Sequence, residues 1–154
     1  LRMEDDGPVG YFKAGSLEGF ASGGGMAQLA RRMLAQPHER SSLDAIPAEH
    51  LTARDVGTAA LAHDPLAVRI VKAAGTYLGR GIAVLIDVLN PECIVLGSMA
   101  VRLGDLLMEP VWQEIRREAL EPAWRNCRIV PAQLADQIGD VAALCAAKYN
   151  FSIA

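Results

Sequence analysis

Aromatic side chains make up only 5% of the 154 residues, and the three cysteines stand singly at Cys93, Cys127 and Cys145. So few aromatics beside abundant alanine, leucine, valine and glycine argue against an all-β sandwich and for closely packed helices and turns. The expected class is α/β with helix in excess. No two cysteines share a metal-ligand spacing and each lies in an apolar run, so they read as buried free thiols of a reducing compartment. A net charge of −3, with basic residues scattered apart from Arg31–Arg32 and Arg116–Arg117, leaves no electrostatic footprint for nucleic acid. The longest apolar stretch, Ile82 to Leu89, is interrupted by Asp87 and falls far short of the roughly 20 residues a membrane helix needs. No basic region precedes an apolar one at the start, as a leader would require. A cytoplasmic protein is expected, with no nucleic-acid or membrane partner. The first residue, Leu1, suggests a piece of a longer chain.

What is present is a 51% hydrophobic chain of about one domain's length, enough to bury a real core. Residues 1–16 are acidic and glycine-rich without periodicity and read as loop. A helix follows over about 17–34, cut by Gly23, Gly24 and Gly25, so a break is expected near Ser22. The polar stretch 36–49 reads as surface loop. Thr52 and Asp55 form a capping-box start to a short helix. Asp64 and Pro65 then open the strongest element, because the carboxylate accepts from free amides while proline presets the first turn.

From Pro65 to Leu89 the apolar positions Val68, Val71, Ala74, Leu78, Ile82, Leu85 and Leu89 recur every three or four residues and predict one core-facing helix. Gly75 and Gly79, one turn apart, invite a close neighbour. Asn90 and Pro91 stop it. The run Cys93-Ile94-Val95-Leu96 before Gly97 reads as a strand buried on both faces. A helix over 101–120 follows, with Pro110 expected to kink or restart it. Cys127 to Val130, closed by Pro131, reads as a second strand. The last helix, about 138–148, is expected to pack Val141, Leu144 and Cys145 inward. Helix, strand, helix, strand, helix implies a parallel sheet with helical crossovers.

Three stretches resemble one family, the ROK (repressor, open reading frame, kinase) proteins. Gly15-Ser16-Leu17-Glu18 followed by Phe20-Ala21-Ser22-Gly23 resembles its Gly-Cys-x-Glu turn opening a helix that carries Ala-Ser-Gly. Asn90-Pro91-Glu92 and Cys93 to Gly97 resemble its Asn-Pro-Glu, strand, Leu-Gly-Gly passage. Leu134-Ala135-Asp136 through Gly139-Asp140 to Ala147 resembles its closing turn and alanine-rich helix. The resemblance implies the carboxy-terminal lobe of a ribonuclease-H-like, actin-type ATPase fold, with sugar and ATP, the latter with magnesium in the complete enzyme, bound between two lobes. It also implies a homodimer or higher homo-oligomer.

The chain departs from that pattern at the family's zinc motif, where Val9, Tyr11 and Ser16 stand at cysteine positions and Phe12 at a glycine. Zinc needs thiolate or imidazole, so no zinc is expected. Ser98 replaces the second glycine of Leu-Gly-Gly. The phosphate-binding turn, catalytic aspartate and histidine-bearing sugar loop that such kinases share are absent, so no catalytic residue is assigned and no turnover is expected from this chain alone.

By resemblance Glu18 accepts hydrogen bonds from sugar hydroxyls, against the plainer reading of a first-turn glutamate favoured by the helix dipole. Gly97, Ser98 and Met99, just past the carboxy end of a strand, are expected beside the nucleotide, against an ordinary turn needing positive φ at Gly97. The triplet Gly23 to Gly25 lacks the lysine of a phosphate loop and reads as close helix packing. His38, His50 and His63 read as solvated. Asp136 and Asp140 could pair, although Asp140 fits the first turn of the last helix. The leading expectation is part of an ATP-dependent hexose or amino-sugar kinase. The alternatives are the sugar-sensing part of a ROK repressor and a noncatalytic oligomerisation module.

Overall fold

The computed structural model describes residues 1–134 and 137–151. Two short strands, β1 (Val9–Gly10) and β2 (Lys13–Ala14), pair antiparallel, with an isolated bridge between Arg2 and Ser16 below them. The stretch read as loop is therefore a hairpin. Its two turn residues, Tyr11 and Phe12, have φ of 46° and 63°, the left-handed pair that a two-residue turn matching strand twist demands. Asparagine and glycine usually fill such positions, so the sequence carried no turn signal here.

Helix α1 (Leu17–Ala21) ends at Ser22, which caps α2 (Gly23–Leu34) by accepting from the Gly25 amide at 3.0 Å. The break falls where the sequence placed it. A Cβ at Gly25 would collide with the Gly19 carbonyl, so the glycine is needed for α1 to cross α2. The polar stretch that follows contains a single 3-10 turn over Ser42–Ala45. Next comes α3 (Ala53–Leu61), whose capping box of Thr52 and Asp55 is formed in both directions.

Helix α4 (Pro65–Leu89) opens under Asp64, whose carboxylate accepts from the Ala67 amide at 3.0 Å, and closes at Asn90 in the left-handed conformation. It is the central element. Ile70, Val71, Ala74 and Ile82 are buried against Leu107, Val111 and Ile115 of α6 (Asp105–Glu118). Gly75 and Gly79 make that approach possible: a Cβ at Gly79 would lie 2.6 Å from the Val111 carbonyl oxygen, and one at Gly75 would lie 2.7 Å from the Pro110 ring. The apolar stripe is not buried throughout, since Leu85 and Leu89 are exposed.

Strand β3 (Cys93–Leu96) leads into α5 (Ser98–Leu103), and α7 (Glu121–Asn126) precedes β4 (Arg128–Pro131). The two strands pair in parallel, Cys93 opposite Arg128 and Leu96 opposite Pro131. Three expectations change. The break between α5 and α6 falls at Gly104 (φ 51°), while Pro110 sits inside α6 with its ring filling the space that Gly75 leaves. β3 is not buried on both faces: Val95 is 62% exposed, and its edge away from β4 has no paired strand among the described residues. Helix α8 (Ile138–Phe151) turns Leu144 and Cys145 to solvent. Cys127 alone is the buried thiol, pushed up by burial and by neighbouring Cys93.

A polar tie fixes the amino-terminal segment to the seam between α4 and α6. Glu114, only 6% exposed, takes Arg80 Nε at 3.0 Å and Arg117 at 2.8 Å. Arg80 also meets Glu4 at 3.6 Å, and Tyr77 stacks on Phe20 with centroids 3.7 Å apart while its hydroxyl donates to Glu4 at 3.1 Å. Residues 1–16 are thereby anchored to the central helix.

Candidate functional site

At the carboxy end of β3 the chain turns through Gly97 into α5, and the α1–α2 junction lies across from that turn. Ala21, Ser22, Gly23, Leu78, Gly97 and Met99 help line a cavity of about 280 Å³ there. Open α/β sheets bind ligands at this end of their strands. Gly97 has φ −76°, which any residue can adopt, and nothing lies within 4 Å of where its Cβ would be. The fold itself therefore has no need of glycine at this position. Ser98 is exposed and Met99 half-buried in the same wall. Gly23, which its sequence context marks as a packing glycine, lies with Ser22 in the wall opposite Gly97, and the Ala21-Ser22-Gly23 motif is the sequence signal for that placement.

Glu18 lies one helical turn before Ser22, whose amide donates to the Glu18 carbonyl at 3.1 Å. The Glu18 side chain is exposed, and no described residue hydrogen-bonds or ion-pairs with its carboxylate. It does not line the Gly97 cavity. Ser16 positions it: the hydroxyl accepts from the Gly19 amide at 3.0 Å and donates to the Gly10 carbonyl at 3.2 Å, joining the start of α1 to the hairpin.

Other candidates separate from this region. His38 has partners, the Gln36 carbonyl at 2.7 Å and Asp44 at 2.8 Å, which hold its pKa above the ordinary imidazole value. Asp140 is exposed in the first turn of α8, and Asp136 lies outside the described residues. A larger cavity of about 710 Å³ opens between α6 and β4 over Met108, Trp112, Ile129 and Pro131; it shares Leu96 and Ala100 with the wall of the Gly97 cavity, and Glu18 does not line it. Its lining is mainly apolar, and it opens where the short sheet ends.

A sequence model of the ROK family matches residues 2–149. The chain belongs to the ROK family. A glucokinase of Halalkalibacterium halodurans is 39% identical over 119 residues, covering 76% of this chain and 36% of that protein. The DNA-binding transcriptional repressor Mlc of Escherichia coli is 29% identical over 141 residues, covering 90% of this chain and 34% of the repressor. The crystal structure of a ROK family glucokinase from Streptomyces griseus in complex with glucose and AMPPNP superposes with a TM-score of 0.69 at 24% identity, over 88% of this chain and 45% of that one. The ROK chain described here thus spans about a third of the curated relatives' length, and its fold is the helix-rich, actin-type ATPase α/β fold. No helix among the described residues is long and apolar enough to cross a membrane.

The ROK zinc motif has no counterpart in side-chain chemistry. Val9, Tyr11 and Phe12 are exposed and offer no ligand, and the Ser16 hydroxyl is engaged by Gly10 and Gly19. Among the described residues no three His, Cys, Asp or Glu side chains gather to hold a metal. Hydrogen bonds hold the hairpin instead: Gln28 accepts from the Val9 amide at 2.8 Å and donates to the Val9 carbonyl at 3.0 Å.

Proposed function

We propose that this chain is the carboxy-terminal lobe of an ATP-dependent kinase for a hexose or amino sugar, a single domain that carries nucleotide and sugar contacts but no catalytic residue. The observation that supports it is Gly97. Glycine stands at the carboxy end of a strand, in a cavity wall, where neither backbone angle nor neighbouring protein requires it. A ligand that needs the backbone bare gives it a reason. Gly97, Ser98 and Met99 flank the nucleotide, magnesium travels with the triphosphate in the complete enzyme, and Glu18 accepts from sugar hydroxyls. Cytoplasmic location and assembly as a homo-oligomer belong to the same proposal.

Titrating a fluorescent N-methylanthraniloyl ATP into the chain tests the nucleotide arm. Saturable binding competed by ATP is expected, and Gly97→Ala is expected to weaken it severalfold with a melting temperature little changed, because the added Cβ meets no protein atom. Absence of saturable binding overturns the assignment. For sugar, Glu18→Gln is expected to weaken binding by about 1.5 to 3 kcal/mol, the range for charged hydrogen bonds. Sugar-dependent ATP hydrolysis by the chain alone is expected to be nil.

The 29% identity to a repressor favours a second reading, the sugar-sensing part of a regulator. Sugar binding without nucleotide binding in the same titrations would select it.

A further inference from the structure

The hairpin tip combines three features found together nowhere else among the described residues. Tyr11 and Phe12 occupy left-handed backbone, they are bulky aromatics, and they are 81% and fully exposed. Neither ring has a ring or cation partner among the described residues. Bulky side chains at positive φ are genuine outliers, and such strain persists where the surroundings over-determine it, commonly at ligand sites. Here the surroundings do. Gln28 grips both backbone groups of Val9, Ser16 holds the Gly10 carbonyl, and Gly10 is pressed so closely on α1 that a Cβ there would sit 2.8 Å from the Glu18 Cβ. The tip begins at the next residue. A stiff mount thus carries two uncovered aromatic rings on the residues that follow Gly10, which itself packs on Glu18, whose exposed carboxylate has no partner among the described residues.

A carboxylate beside aromatic faces suits one ligand chemistry well. A pyranose has hydroxyls for an acceptor and a less polar C–H face for the electron-rich face of a ring. We infer that Tyr11 and Phe12 form a platform for the sugar ring held by Glu18, so that the tip sets affinity and the choice of sugar. The inference rests on the sugar role proposed for Glu18. Self-association through the same rings is the competing use of an exposed apolar tip.

The test uses the 154-residue chain with D-glucose and N-acetylglucosamine as probes, followed by saturation-transfer NMR and calorimetry, with thermal melts and sedimentation beside them. Phe12→Gly and Tyr11→Gly are each expected to weaken sugar binding about three- to tenfold, the worth of one aromatic contact. Melting temperature is expected to hold or rise, since glycine relieves the left-handed strain and no buried contact is lost. Sugar is expected to perturb the Tyr11 ring resonances. If Glu18→Gln weakens binding while both tip variants leave it unchanged, the platform is overturned and the Glu18 reading stands. If the wild-type chain binds neither sugar, the Glu18 reading falls and the platform with it. If the tip variants change only the sedimentation of the chain, the rings contact a second copy and the platform is overturned.

Discussion

The seam between α4 and α6 and the region around β3, β4 and α8 belong to one chain but are built to different standards. In the seam, Leu107, Val111 and Ile115 are fully buried, glycines admit the partner backbone, and the one buried carboxylate, Glu114, has two arginines. At the sheet, two strands of four residues leave Val95 exposed, and α8 shows Leu144 to solvent. The difference teaches where this domain is complete in itself. The helical seam satisfies its own polar groups and fills its own space, whereas the sheet region offers apolar surface that nothing within the described residues covers.

The largest expected effect tests the seam's polar tie. Glu114→Ala should cost about 2 to 3 kcal/mol in urea unfolding, because it removes a buried acceptor shared by Arg80 and Arg117 and leaves a void, while Arg80 keeps Glu4 and Arg117 keeps Glu118. A loss under about 1 kcal/mol would show that the tie is a surface feature. Gly79→Val should cost about 2 kcal/mol by forcing α6 outward, measured the same way. Asp64 comes next. Burial alone would raise its carboxyl, but the Ala67 and Ser42 amides and the Ser42 and Ser41 hydroxyls together hold it below the ordinary 3.8. A depressed folded pKa contributes stability that is full above the unfolded value and lost as pH falls through the folded one. Unfolding at pH 7 and pH 3 should therefore show an acid-side loss that Asp64→Asn reduces. The smallest effect belongs to the other region: Leu144→Ser on α8 should change stability by less than about 0.5 kcal/mol, since no burial is lost. A large loss there would erase the contrast.

What the sequence made legible follows the same division. Thr52 with Asp55, Asp64 with Pro65, and Asn90 with Pro91 announce helix ends through local hydrogen bonding and backbone restriction, and all three sit where read. Pro110 misled because what favours it inside the helix is packing from a distance: its ring fills the space left by Gly75, thirty-five positions earlier. The hairpin was missed because Tyr11 and Phe12 are poor turn residues. Helix α7 was also missed, though Glu121 and Pro122 gave a usable start, and the amide of its N-cap, Leu120, is satisfied remotely by donating to Asp87 at 2.9 Å. Strand and last-helix burial were overestimated because apolar composition predicts a wish to be covered, not the presence of a cover. Gly97 was legible as a turn. That the turn has no internal need for glycine required its backbone angle and surroundings.

Strand β3 hydrogen-bonds to β4 through the carbonyls of Glu92 and Leu96, so strand alternation turns the main-chain groups of Cys93 and Val95 the other way. Those donors and acceptors, with Val95 exposed among them, form a template on which any extended segment can crystallise its backbone. Prepared alone and concentrated, the chain should therefore grow by strand addition at this edge, and its shelf life in solution will be set by four residues rather than by the strength of its helical core.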